Sequence, residues 1–225
     1  MPAYNAARTL RDTLADLPRA HYDSVILVDD ASHDGTVALA QALGLTVFVH
    51  DRNRGYGANQ KTCYTKALEA GADIVVMVHP DYQYDPTLLP EMTAPLKADE
   101  ADVVFGSRFR GRSAYEQGMP WWKYVANRAL TALENRTFGL ALSEYHTGYR
   151  AYTRDALARV DFMANSDDFI FDQEIVAQFV ATGARFAEIS VPVRYFPEAS
   201  SASLLASIVY GLKVVRLLWR TRRRR

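Results

Sequence analysis

Three side chains spaced two positions apart, His79, Asp81 and Gln83, close an apolar run and supply nitrogen and oxygen donors that suit a divalent cation. The run ahead of them, Ile74 to Val78, is rich in β-branched residues and too short for a helix, which predicts a strand buried on both faces. Ligands of open α/β sheets sit outside the carboxyl ends of the strands, so this corner is the predicted reaction centre. A second strand, Ser24 to Val28, delivers Asp29 and Asp30 in the same way. Gly55 and Gly57, in NRGYGAN, stand ahead of a helix running through Ala70. Their backbone amides either approach a phosphate or form an ordinary turn and helix start, since the third glycine of the dinucleotide fingerprint is absent.

The elements that must position these groups alternate. Ala6 to Leu17 reads as a helix closed by Pro18; after the strand at Ser24, Ser32 or Asp34 caps a helix through Leu43, and Leu45 to Val49 is a further strand. Pro86 to Lys97 reads as a helix and Ala101 to Phe105 as a strand leading to Gly106, Ser107, Arg108 and Phe109. This order predicts an α/β fold with a mostly parallel central sheet flanked by helices. Such a sheet would place a first strand before Pro2, so the first strand reads as truncated.

Length and charge narrow the classes. With 225 residues, 49% of them hydrophobic, the chain can bury a sizeable core. Its 26 basic and 26 acidic residues balance, yet Lys213, Arg216, Arg220 and Arg222 to Arg225 place seven positive charges and no acid in the tail, leaving −7 on the remainder. An acidic body with a basic tail argues against nucleic acid as a partner and for an anionic membrane surface. Cys63 is the single cysteine, which excludes a disulfide within the chain and fits a reducing compartment. The opening MPAYNAARTL lacks the apolar segment of a signal peptide, so export is not expected. Leu204 to Trp219 is interrupted by Lys213 and Arg216 and is shorter than the roughly 20 residues of a transmembrane helix. The expected division is a domain over residues 1–202 and a basic amphipathic helix over 203–225, which either lies in a membrane interface or packs on the domain. Pro120, Trp121 and Trp122 open another amphipathic helix, Gly118 to Leu133; core packing is favoured over a membrane contact for these aromatics.

Taken together, PAYN (2–5), VDDASHDGT (28–36), NRGYGAN (53–59), HPDYQYDP (79–86), GSRF (106–109), TGYRAY (147–152), FIFDQE (169–174) and VPVRYFPEASS (191–201) resemble the family 2 glycosyltransferases. The likeness is closest to the branch of dolichol-phosphate and polyprenol-phosphate mannosyl- and glucosyltransferases. It implies a GT-A fold, a GDP- or UDP-hexose donor, a divalent cation (Mg²⁺ or Mn²⁺), a polyprenyl phosphate acceptor, inversion at the anomeric carbon, and a cytoplasmic protein peripheral on the inner membrane face. The resemblance puts Pro2 and Tyr4 at the base, Asp29 and Asp30 at base or ribose, Asp81 and Gln83 at the metal, and cationic Arg108 and Arg128 at the acceptor phosphate. Arg150 and Arg194 are further acceptor contacts.

His79 departs from that pattern, standing where the family has its first Asp; imidazole ligates Mn²⁺ but partners the harder Mg²⁺ poorly. It either joins the metal or hydrogen-bonds nearby. Arg194 also departs, because no lysine follows in the Glu198 to Ser201 loop. A lipid phosphate, with its second pKa near about 6, is already largely ionised and needs no strong base. A hydroxyl acceptor on a glycan would need one, with Asp172 or Glu174 as the candidates. A nucleotide-binding protein without turnover is the remaining alternative.

Overall fold

Short apolar runs alternating with helical periods produce seven strands and eight α-helices among the described residues of this computed structural model, which are 1–111, 114–115, 118–192 and 204–224. In chain order they are β1 (Pro2–Ala3), α1 (Leu10–Ala15), β2 (Ile26–Asp29), α2 (Thr36–Ala42), β3 (Thr46–Val49), α3 (Tyr56–Glu69), β4 (Ile74–Met77), α4 (Leu89–Lys97) and β5 (Val103–Ser107). Then follow α5 (Trp121–Phe138), β6 (Arg150–Thr153), α6 (Arg154–Ala158), α7 (Phe171–Ala181), β7 (Phe186–Ser190) and α8 (Leu204–Arg224). The helix expected from Pro86 begins with a 3₁₀ turn, Pro86–Leu88, because the Asp85 carboxylate accepts from the Thr87 N–H at 3.1 Å and fixes that turn.

The strands form two sheets, ordered β1-β2-β3 and β4-β6-β5-β7. The first is wholly parallel. The second is mixed: β6 lies antiparallel between β4 and β5, and β7 is parallel to β5. β1 is two residues long, with Pro2 opposite Val28 and Ala3 opposite Asp29.

Side chains alternate across the strands as the pleat requires. Val28, Val75, Met77, Val103, Phe105 and Tyr152 join one buried cluster with Tyr64, Phe171 and Phe179 from α3 and α7. Leu27, Val78, Val104 and Ala151 join the other, with Leu10, Leu89 and Met92 from α1 and α4. Helices therefore cover both faces, and the carboxyl ends of β2, β4 and β5 lead into the loops that hold the candidate site.

Helix α8 packs on α5 and α7 by one edge, with Val214 and Leu218 at 0% and 2% exposure. Five further apolar residues of α8, Ile208, Val209, Leu212, Val215 and Trp219, are exposed, as are Trp121 and Val125 on α5. Trp121 thus departs from the core position favoured for it, since Asn127, Thr131 and Glu134 occupy the inward face of α5.

Truncating Leu218 to alanine should cost about 3 kcal/mol, because the cavity lies in the joint between α8 and the main core. The expected result is a lower urea midpoint for cooperative unfolding; an unchanged midpoint would mean that α8 is not part of that unit.

Candidate active site

The Asp30 carboxylate is 3% exposed and is held by three donors. Oδ1 accepts from the Arg54 N–H at 2.9 Å and lies 2.7 Å from His50 Nδ1, while Oδ2 accepts from the Gly55 N–H at 2.9 Å. Asp29, fully buried, accepts from the Ser32 N–H and hydroxyl at 2.8 and 2.5 Å. Both acids at the end of β2 are therefore engaged by loops, so in this state a nucleotide would meet the loops they hold before it met their carboxylates. Pro2 is buried in β1, whereas Tyr4 is 49% exposed.

Gly55 and Gly57 are where close approach, rather than an open phosphate cradle, decides the residue type. Gly55 has φ +99°, and a Cβ there would come within 2.6 Å of the Asp167 carbonyl oxygen. A Cβ at Gly57 would collide with the Ser166 carbonyl oxygen and approach Phe171 Cβ to 2.8 Å. The Gly57 and Ala58 N–H groups donate to the Asp167 carbonyl at 2.8 and 3.3 Å, so the first amides of α3 are occupied by protein.

Residue 56 carries the consequence. Held between those two glycines, Tyr56 stacks its ring 3° from parallel with the His79 imidazole at a centroid distance of 5.7 Å. Its hydroxyl lies 3.5 Å from His79 Nε2 and donates to Asp172 Oδ2 at 2.9 Å. Burial, reinforced by Asp172, pushes the Tyr56 phenol well above its ordinary value and keeps the proton in place. The imidazole also packs on Gly148, where a Cβ would lie 2.8 Å from Nε2. Burial lowers the His79 pKa against the opposing pull of Asp81 and Asp172, so the ring is neutral near pH 7.

Asp81 and Gln83 stand beside it, both partly buried, with the Gln83 N–H donating to Asp81 Oδ1 at 3.1 Å. Tyr82 between them has φ +55° and donates its hydroxyl to Asp16. Thr9, in the loop after β1, donates to the Pro80 carbonyl at 2.5 Å, which joins the PAYN loop to the HPD corner. Asp30, Tyr56, His79 and the Tyr4 loop are thus neighbours along one chain of contacts.

At the end of β5, Arg108 forms a buried pair with Glu144, to which its Nε donates at 2.9 Å and its backbone N–H at 2.8 Å; its guanidinium also donates to the His146 carbonyl at 2.8 Å. Burial alone would raise Glu144, but the charge and hydrogen bonds of Arg108 outweigh it and hold the carboxyl below its ordinary value. Arg128 is exposed, donates to the Ser143 carbonyl at 3.0 Å and sits over the Phe109 ring at 5.6 Å. Lys123 is lowered by burial and then by the nearby charge of Arg108. Residues 143–149 therefore link this cationic corner to Gly148 at the His79 ring. Tyr56 was given no role from the sequence, where its signal was its place between two glycines, and Lys123 was read only as a companion of the nearby tryptophans at an interface.

The remaining candidates lie deeper. Arg150 is 1% exposed, donates to the carbonyls of Thr147, Asp172 and Tyr145 at 2.7, 2.9 and 2.8 Å, and covers the Phe105 ring; burial keeps it from direct contact with an acceptor. Asp172 accepts from Gln60 and Tyr56 on its two oxygens, at 3.1 and 2.9 Å. Glu174 accepts from the Ser166 N–H and hydroxyl at 2.6 and 3.0 Å. Arg194 lies outside the described residues.

Comparisons with known proteins agree with one another. Residues 1–161 match the family described as glycosyl transferase family 2. The undecaprenyl-phosphate mannosyltransferase of Micrococcus luteus is 28% identical, over 96% of this chain and 89% of the relative. The UDP-N-acetylglucosamine–dolichyl-phosphate N-acetylglucosaminyltransferase of Methanococcus voltae is also 28% identical, over 70% of this chain and 69% of its own length. Glucosyl-3-phosphoglycerate synthase from Mycobacterium tuberculosis, crystallised with Mn²⁺, UDP and glucosyl-3-phosphoglycerate, superposes with a TM-score of 0.72 at 18% identity, covering 98% of this chain and 77% of that one. At that identity the superposition establishes the shared fold.

Replacing Arg108 by alanine strands a buried carboxylate and should cost about 3–5 kcal/mol at pH 7. Glu144 has a folded pKa below its unfolded one, so the pair's contribution is present at neutral pH and is lost as pH falls through the folded value. Urea titrations should therefore show the gap between wild type and Arg108→Ala narrowing below about pH 4.5; a gap independent of pH would contradict the pairing.

Proposed function

Because the chain belongs to glycosyl transferase family 2, we propose that it moves a hexose from a nucleoside-diphosphate donor to a polyprenyl phosphate, with inversion at the anomeric carbon. The observation that carries this reading is the contact chain from the Tyr4 loop and Asp30 through Tyr56 to His79 and Asp81, which gives a base and a diphosphate adjoining places to lie. Tyr4 would stack on the base. Asp29 and Asp30, through the loops they hold at residues 30–32 and 53–57, would shape the pocket for base and ribose, with Pro2 beneath. The donor would be a GDP- or UDP-hexose.

His79, Asp81 and Gln83 would hold a divalent cation. A neutral imidazole, one carboxylate and one amide are suitable donors, and no group of three His, Cys, Asp or Glu stands together among the described residues. The chain thus offers a partial shell that diphosphate oxygens and water would complete, as is usual for nucleotide-bound Mg²⁺ or Mn²⁺. The imidazole favours Mn²⁺. Such a cation offsets the negative charge that gathers on the departing diphosphate.

The acceptor class follows from which groups have protons to move. Asp172 and Glu174, the two acids suited to activate a hydroxyl, have both oxygens engaged within the protein. A phosphate nucleophile dispenses with that step, since it is largely ionised at neutral pH. It needs cations instead, and Arg128 and Lys123, beside the Arg108–Glu144 pair, would orient its oxygens. Arg150 would act from the interior, by fixing the loop that carries Gly148.

The lipid would approach along the faces of α5 and α8. Trp121 and Val125, with Ile208, Leu212, Val215 and Trp219, expose apolar area next to Arg216, Arg220, Arg222 and Arg223. Aromatic and aliphatic groups beside arginines suit an anionic interface, each cation adding about 1 kcal/mol near the surface. No helix among the described residues is long and apolar enough to cross a membrane. The proposed association is peripheral, on the inner face.

Labelled UDP- and GDP-hexoses incubated with polyprenyl phosphate and either Mg²⁺ or Mn²⁺ should yield organic-phase label with wild type and at least a hundredfold less with Asp81→Asn, on the order expected for a lost electrostatic contact to developing charge. Label absent from the organic phase with every donor would defeat the lipid acceptor, and near wild-type turnover by Asp81→Asn would defeat the metal corner. Changing Arg216, Arg220, Arg222 and Arg223 to glutamine should release the protein from phosphatidylserine vesicles in flotation assays; unchanged flotation would assign α8 to packing alone.

A further inference from the structure

Helix α8 meets the domain along a polar seam as well as an apolar one. Glu134 of α5 and Gln173 of α7 are both 0% exposed and flank His146, in the loop between α5 and β6. The imidazole reaches Glu134 Oε2 from Nε2 at 3.1 Å and the Tyr210 hydroxyl of α8 from Nδ1 at 3.0 Å. The approach to Glu134 is poorly aligned for a hydrogen bond, so it is an electrostatic contact. None of these four side chains has a part in the transferase site described above.

Protons run one way through this network. The Tyr145 carbonyl can only accept, so the Gln173 amide turns its nitrogen toward it, at 3.1 Å, and gives its other hydrogen to the Tyr210 oxygen at 2.9 Å. The Tyr210 proton is then directed at His146 Nδ1, which makes that nitrogen the acceptor and leaves the ring hydrogen on Nε2, facing Glu134. Burial, and after it the charge of Glu134, pushes the Tyr210 phenol up and keeps its proton in place.

His146 stands where its position matters to the site. Its carbonyl accepts from the Arg108 guanidinium at 2.8 Å. Two residues on, the Gly148 N–H donates to the Tyr84 hydroxyl at 3.1 Å, and the glycine itself backs the His79 imidazole. α8 also touches the opposite loop. Lys213 pairs with Asp168, which lies between Asp167, whose carbonyl holds the Gly57 and Ala58 amides, and Phe169, whose ring stacks on Tyr56 at 4.6 Å. Both members of that pair are about half exposed, at 45% and 49%, so solvent screens it and it contributes little. Tyr210, bonded to the buried Gln173, is the stronger link.

We propose that Tyr210 is a positioning residue for the transfer reaction: its hydroxyl, held by Gln173, fixes His146 and with it the 143–149 loop that seats Gly148 against the His79 ring. Seating of α8 and the shape of the metal corner are then one arrangement. The meaning for catalysis rests on the transferase reading, whereas the network does not.

The test compares the full chain with Tyr210→Phe, which removes the hydroxyl and keeps the ring. Amide exchange at Gly148, without any ligand, should quicken by about tenfold or more while the amides of β5 change by less than about twofold; a merely weaker fold would quicken both. The Mn²⁺ concentration for half-maximal hexose transfer should rise by about fivefold or more, which loss of folded protein alone does not produce. Lys213→Met should move either quantity by less than about twofold. In wild type, nitrogen-15 shifts should place the His146 proton on Nε2. Unchanged exchange at Gly148, an unchanged Mn²⁺ requirement in an active Tyr210→Phe, or a wild-type His146 proton on Nδ1 would each overturn the inference. If wild type transfers no hexose, the transferase reading falls, and exchange at Gly148 still decides whether Tyr210 holds the loop.

Discussion

One buried carboxylate sets the geometry of the site. Asp30 is taken out of water at the end of β2, where the Arg54 and Gly55 N–H groups donate to its side chain and His50 Nδ1 lies 2.7 Å away. Hydrogen bonds to a charged acceptor are worth about 1.5–3 kcal/mol each. Together they fix a loop that would otherwise sample many turns. Since Tyr56 follows directly, the grip on Gly55 also sets where the phenol meets His79 and Asp172, and so links the second strand to the fourth. The Arg108–Glu144 pair repeats the device at the end of β5: a buried acid, satisfied by one arginine and its backbone, pins residues 143–149 beneath the cationic corner.

These anchors imply a division of labour. The buried acids Asp29, Asp30, Glu144 and Asp172 shape loops from within, while Tyr4, Asp81, Gln83 and Arg128 lie nearer solvent, where the proposed function needs them. Such a site is preorganised by its interior and chemically sparse at its surface. That suits a reaction in which the nucleophile arrives ionised and the main task is to offset charge on a leaving group.

Much of this was legible in the sequence, for reasons that differ by residue. The run Ile74–Met77 announced a two-sided strand because composition and length both excluded a helix. β6 and β7 were not read as strands: β6 opens on Arg150, whose charge masks a buried position, and its antiparallel placement follows from tertiary pairing that no local pattern encodes. The glycines of NRGYGAN were read as a phosphate approach or a plain turn, and sequence does not say that their close neighbour is the Ser166–Asp167 backbone of a segment more than a hundred positions away. For Arg150 and Trp121 hydropathy pointed the wrong way round, since an arginine with three carbonyl acceptors can be buried and a tryptophan on an outward helix face can stay exposed.

The central claim is that a cation and a nucleoside diphosphate meet beside His79, next to the loop that Asp30 holds. The imidazole proton signals of the five histidines report on it directly, because Mn²⁺ broadens resonances only near itself. Adding substoichiometric Mn²⁺ together with a nucleoside diphosphate should erase the His79 signal while that of His21, in the turn after α1, stays sharp. A sharp His79 signal under conditions where the diphosphate is bound would contradict the account.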